Sequence, residues 1–228
     1  MCDREFNTSA IKPVECLKEA WQLIKSDYWL LFAISLIGAM IAGLTIYVLL
    51  GAMVCGIIGV YLKKIDGGEV KFENLWDGMK YAVPSIPIAL LFIIPVVVYV
   101  TAAFFTIYSP LITLAVMGEH VDTSVLWGTF LFAIAIDVVV AVGMTVIHSL
   151  IIFAFPLLVD RNLGAIDAIK LSARAALKNI GGIAGLIVLQ FGIVLLGEMA
   201  LCVGIYLTIP ILTATSLVAY RKVFPKLS

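Results

Sequence analysis

Long apolar runs alternate with short polar segments along this chain. Four runs stand out, at about 29–62, 82–118, 124–159 and 180–220. Each is apolar all round rather than on one face, the pattern of helices solvated by lipid. A span needs about 20 residues, with a range of roughly 17–25. As one straight helix the first run would be about 51 Å long, needing a tilt beyond the roughly 0–40° that spans adopt. It therefore predicts a hairpin of two short spans. The run 180–220 predicts a second hairpin, with Gly197 and Glu198 at its tip. The two middle runs are too long for one upright span and too short for three. Pro84, Pro87, Pro95 and Pro110 divide the second run, and Pro110 is the expected end of its span. The surplus predicts an apolar excursion over about 110–136, interfacial or re-entrant.

The polar segments carry a helical period. Val14, Leu17, Trp21, Ile24 and Tyr28 recur at spacings of three and four, opposed by Glu15, Lys18, Glu19, Gln22 and Lys25. Asn7, Thr8 or Ser9 is the expected cap, and Pro13 suits the first turn. Phe72, Leu75, Trp76 and Met79 make a shorter version. Ile166, Ile169, Ala173, Ala176 and Ile180 make a third, opposed by Asp167, Lys170, Arg174 and Lys178. Such helices lie in the membrane interface. Lys18, Lys25, Lys170, Arg174 and Lys178 would then sit near anionic lipid headgroups. Trp21, Tyr28, Trp29, Trp76 and Tyr81 fit an aromatic belt at that depth. The two ends echo each other: an amphipathic helix, an apolar hairpin, a tyrosine (Tyr61, Tyr220) and a basic exit (Lys63, Lys222).

Composition agrees with lipid as solvent. Of 228 residues, 63% are hydrophobic and 13% charged, with mean hydropathy +1.13. Soluble domains are about 45–50% apolar and roughly 25% charged. The 15 basic and 15 acidic residues cancel, which argues against a nucleic-acid partner.

The position of the charges says more than their sum. Every Lys and Arg falls outside the apolar runs: Arg4, Lys12, Lys18 and Lys25 before the first; Lys63, Lys64, Lys71 and Lys80 before the second; Arg161, Lys170, Arg174 and Lys178 before the fourth; Arg221, Lys222 and Lys226 after it. The connection 118–124 has Glu119 and Asp122 and no basic residue. Basic loops stay cytoplasmic, so the expected fold is all-α, a polytopic membrane helix bundle of about six crossings with both termini inside. It reads as a single integral membrane domain over 1–228. A cytoplasmic amphipathic helix (1–28) leads into a hairpin (29–62) and a cytoplasmic connection (63–81). Two crossings with an outer excursion follow (82–159), then a second amphipathic helix (160–179), a hairpin (180–220) and a tail (221–228). The polar first 28 residues are not a cleavable signal, and Cys2 follows no apolar segment of the kind that precedes lipid attachment. Cys55 and Cys202 read as small hydrophobes.

Asp137 is the sharpest candidate for chemistry. No other charge lies within about twelve residues of it, and an ionisable group in lipid is a functional hypothesis by default. His148 lies about three helical turns on, on the same face and about 16 Å away, so the pair suits a proton or cation path. Alternatively, Asp137 caps a helix spanning about 138–158, and His148 hydrogen-bonds a neighbouring helix. Gln190 is read as an interhelical hydrogen bond or a ligand contact, and Glu198 as a solvated tip. Gly181 and Gly185 form a GxxxG, and Gly51, Gly56 and Gly59 line the second span; small residues let helices approach closely. No nucleotide-binding, hydrolase or metal motif occurs. No catalytic residue, metal ligand or cofactor is expected, and Asp160 with Arg161 reads as a charged turn.

The stretch 155–179, FPLLVDRNLGAIDAIKLSARAALKN, precedes an apolar hairpin containing Pro210 and ending in AYRKVF. With GVYLKKIDGGEVKFENLWDGMKY (59–81), it resembles a broad group of uncharacterised prokaryotic integral membrane proteins. It is similar to the membrane domain fused to some glycerophosphodiester phosphodiesterases. The resemblance implies a six-helix membrane domain and no catalytic residues, because the phosphodiesterase chemistry belongs to a separate soluble domain. The expected setting is a prokaryotic cytoplasmic membrane. The leading expectation is a non-enzymatic accessory, scaffold or envelope-maintenance component contacting anionic lipid or a membrane-protein partner. A transporter of small solutes, ions or lipid using Asp137 and His148 is the alternative, and a membrane-embedded lipid enzyme the third.

Overall fold

The computed structural model describes residues 6–117, 123–199 and 203–226, which are helical throughout their regular structure, with no strand among them. Cys2, Arg4, Glu119, Asp122 and Cys202 lie outside the described residues, as does most of the 118–124 connection. The helices are α1 (Pro13–Ile24), α2 (Tyr28–Leu44) and α3 (Leu50–Ile65), then a 3-10 segment (Phe72–Tyr81). There follow α4 (Ile86–Met117), α5 (Thr123–Ile151), α6 (Ala154–Asp160), α7 (Ala165–Lys178), α8 (Ile180–Met199) and α9 (Val203–Val223). Three stretches are long and apolar enough to cross a membrane: Ile86–Val116, Ser124–Asp160 and Ile180–Met199. A fourth qualifies if α1 and α2, which meet at 101°, count as one bent span.

Several boundaries differ from expectation for identifiable reasons. Pro13 opens α1 behind an extended Lys12, and none of Asn7, Thr8 and Ser9 caps it. A proline at the first position has no N–H to satisfy, which lowers the need for a cap. Pro95 and Pro110 lie inside α4 rather than at its end. Breaking the helix there would expose further backbone groups to apolar surroundings, which costs more than the one bond that a proline removes. Helix α8 continues through Gly197 and Glu198 to Met199, so these two residues are helical rather than a hairpin tip. A Cβ on Gly197 would lie 3.1 Å from the Gly204 backbone; its smallness serves close packing of α8 on α9. The first hairpin turns at 45–49, where Ile46 and Tyr47 adopt left-handed backbone, φ 49° and 62°.

By its contacts the chain forms two compact units, Met1–Ala89 with Leu150–Ser228, and Leu90–Ser149. The first has a core of fully buried side chains that includes Leu31, Ile34, Tyr61, Phe153, Leu157, Leu186, Tyr220 and Phe224. Tyr61 shares a 2.9 Å hydrogen bond with Ser35 across α2 and α3.

One end of this unit is polar, and it ties helix termini together. Lys64, at the end of α3, pairs with Asp27 at the head of α2. That pairing and the Ser26 hydroxyl hold the Asp27 carboxyl below its usual range. Arg221, near the end of α9, donates to Asp66 beyond α3 at 2.8 and 3.0 Å and to both oxygens of Asp160 at the end of α6 at 2.7 Å. The Tyr220 hydroxyl donates to the same Asp160 at 2.7 Å. Asn179, at the head of α8, donates to the Asn7 carbonyl at 3.1 Å, and the Asn7 N–H donates to the Val223 carbonyl at 2.8 Å. The heads of α2 and α8 and the ends of α3, α6 and α9 therefore meet at one side.

Helix α3 and the 3-10 segment approach through glycine. A Cβ on Gly56 would lie 2.1 Å from the Leu75 carbonyl oxygen, and one on Gly78 would lie 2.2 Å from that of Ala52. Of the GxxxG residues, Gly185 packs on Pro13, while Gly181 faces open space and its neighbour Gly182 meets Ile11 instead.

The second unit holds most of α4 and α5. Its surface is strongly apolar, with Val97, Val100, Phe105, Leu131, Phe132 and Val139 all exposed, the opposite of a water-facing surface.

Candidate functional site

Asp137 lies well inside α5, which starts at Thr123, so it does not cap a helix. Its Oδ2 is 2.7 Å from Thr106 Oγ1 on α4. Thr106 is also 3.0 Å from the Ala102 carbonyl and 3.1 Å from that of Ala103. One hydroxyl proton serves these acceptors one at a time. The other carboxyl oxygen, Oδ1, is buried and has no hydrogen-bond partner.

A cavity of about 480 Å³ opens beside this pair, within the 90–149 unit. Thr106, Pro110 and Leu114 line it from α4, four residues apart and hence on one face. Trp127, Phe130, Ile134 and Asp137 line it from α5 at spacings of three and four. Two helical stripes thus face each other, apolar along their length and polar at the Thr106–Asp137 end. The volume falls within the range of small-molecule sites.

His148 does not reach this cavity. Its Nδ1 lies 2.8 Å from the Met144 carbonyl and its Nε2 lies 3.1 Å from the Phe92 carbonyl. Its ring meets the Phe92 ring edge-on at 4.5 Å. His148 therefore links α5 to α4 in its own right. Gln190 donates to the Ser216 hydroxyl at 2.8 Å and to the Leu212 carbonyl at 3.2 Å, tying α8 to α9. Asp137 and His148 do not form one site, and Gln190 has partners of its own on α9.

The basic candidates lie on exposed helix faces. Helix α7 divides into three stripes. Ala168, Leu171, Ser172, Ala175 and Ala176 are buried. Ile166 and Leu177 form an exposed apolar stripe, 55% and 60% accessible, and Ile180, the first residue of α8, is 66% accessible beyond it. Lys170, Arg174 and Lys178 form an exposed basic stripe. Of the expected apolar face only Ala176 is buried; Ile169 and Ala173 are partly covered, and the protein-facing side is made mostly of small residues outside that face. At 100° per residue the exposed apolar and basic stripes lie about a quarter turn apart. Helix α1 repeats the plan: Cys16, Ala20 and Ile24 are buried, Val14 and Trp21 exposed, and Lys18 and Lys25 lie on the charged side.

Sequence reasoning missed Thr106, whose hydroxyl is unremarkable in an apolar run, and the clamp on Asp160, whose partner Arg221 lies 61 residues on. Comparison with protein-family models, with curated proteins and with solved structures finds no match.

Proposed function

We propose that the chain is a non-enzymatic membrane protein of a prokaryotic cytoplasmic membrane. It crosses six times with both termini inside, and its inner face rests on anionic lipid as an accessory, scaffold or envelope-maintenance component. The observation that carries this reading is the division of the exposed surface of α7 into adjacent apolar and basic stripes. A helix lying at the bilayer surface needs that arrangement: apolar side chains down, ammonium and guanidinium groups level with the phosphates. The gathering of helix ends at one polar side supports the alternation of crossings.

Each basic residue near an anionic surface contributes about 1 kcal/mol. In native mass spectrometry of the detergent-extracted full chain, phosphatidylglycerol should be retained over phosphatidylcholine. Lys170→Gln, Arg174→Gln and Lys178→Gln together should reduce that preference at least about tenfold. Equal retention of the two lipids by the unaltered chain would sink the reading.

A second reading, a transporter using Asp137 and His148, draws on the cavity beside Asp137. The lining is apolar beyond the Thr106–Asp137 end and excludes His148, which favours a ligand with an apolar body over an ion path.

A further inference from the structure

The cavity in the 90–149 unit has a polar end that is chemically incomplete. Asp137 Oδ1 is buried without a partner, while Oδ2 faces Thr106. If the carboxyl is ionised, Thr106 donates to Oδ2 and Oδ1 is an acceptor with no donor. If it is protonated, the proton on Oδ2 is given to Thr106 Oγ1, which in turn donates to the Ala102 or Ala103 carbonyl. Oδ1 is again an acceptor with no donor. In both of these states the missing group is an N–H or O–H, and a buried acceptor left unmatched is costly; a proton on Oδ1 itself would ask for an acceptor instead.

The rest of the cavity asks for something apolar. Trp127 stands ten residues from Asp137 along α5, about 15 Å at 1.5 Å per residue. Pro110, Leu114, Phe130 and Ile134 fill the walls between. An extended chain advances about 1.2 Å per bond, so this length holds a chain of roughly twelve atoms.

We infer that this cavity binds a single-chain amphiphile with a protonated amine head, the ammonium on the Asp137 carboxyl that lines its polar end and the alkyl chain running toward Trp127. An ammonium supplies both the absent donor and the charge opposite to a carboxylate, and such charge-assisted bonds are about twice as strong as neutral ones. The acyl chain of a bilayer lipid would fill the walls but leave Oδ1 unmatched. This site is separate from the basic faces of α1 and α7, whose expected ligands are anionic.

Trp127 is a built-in reporter. With purified full chain in a maltoside detergent, 11-bromoundecylammonium should quench a saturable part of the tryptophan emission that is missing in Trp127→Phe. The matched alcohol and the trimethylammonium, which lacks an N–H donor, should bind at least about tenfold more weakly. Asp137→Asn should abolish the preference for the amine. Leu111→Trp, which keeps the carboxylate and fills the cavity from an exposed position on its wall, should abolish saturable quenching by all three at the remaining tryptophans. Equal affinity for the three head groups overturns the inference and leaves general apolar partitioning. So does an amine preference that survives in Asp137→Asn. If Asp137→Asn loses its monodisperse elution, Leu111→Trp decides alone, and undiminished amine binding there overturns it.

Discussion

Arg221 carries five donors in a rigid fork and spends four hydrogen bonds on two carboxylates. Its side chain is 12% accessible, and those of Asp66 and Asp160 are 19% and 17%. Solvent screening is therefore weak, and the clamp contributes more than a surface pair would. A lysine keeps the charge but cannot engage two carboxylates in bidentate geometry. Arg221→Lys should lower the stability of the detergent-solubilised protein by about 2 kcal/mol, the scale of one or two charged hydrogen bonds. The check is chemical or thermal unfolding of both chains under identical conditions. A change within about 0.5 kcal/mol would show that lysine replaces the fork.

At the scale of elements, α3 and the 3-10 segment are held by what is missing from their contact. Gly56 and Gly78 let backbone meet backbone, and a methyl group at either place would overlap a carbonyl oxygen that cannot rotate away. Gly43, in α2, faces open space. Gly56→Ala should therefore cost at least about 2 kcal/mol. Gly43→Ala should be neutral or stabilising, because alanine is the better helix former. The pair makes a controlled comparison by thermal unfolding, since helix propensity favours alanine in both. The glycines of the second hairpin follow the same logic: Gly182 and Gly185 receive Ile11 and Pro13, the residues that lead into α1. Their one-sided contacts could not be told from Gly181 by spacing, because GxxxG marks a small-residue face without naming what covers it.

For the whole molecule, the testable matter is sidedness. With native cysteines replaced, a cysteine at Glu69 should react with a membrane-impermeant maleimide only from the cytoplasmic side, and one at Glu119 only from the other. Glu69 labelled from outside would reverse the proposed orientation; both labelled from one side would remove the odd number of crossings between them. The two ends of the chain supply the first unit with the same order of parts, an amphipathic helix and an apolar hairpin each. The tyrosines matched in sequence, Tyr61 and Tyr220, are both fully buried in that unit's core.

By itself, the sequence determined that the chain is helical and that it carries helices suited to lipid. Apolar length, the absence of internal Lys and Arg and the 3.6-residue period are local properties, legible in any window. The amphipathic segments before the first and last hairpins were legible for the same reason, and so was the isolation of Asp137. Only tertiary structure decided what Asp137 meets. Thr106 is 31 residues away, and the cavity between their stripes depends on how α4 and α5 face each other. It also decided that Pro110 lies inside a helix, that α7 buries its alanines rather than its isoleucines, and that Arg221 reaches Asp66 across 155 positions. Each outcome depends on a partner from a distant segment. In lipid the isoleucines of α7 need no protein cover, so apolar period alone cannot say which face the protein claims.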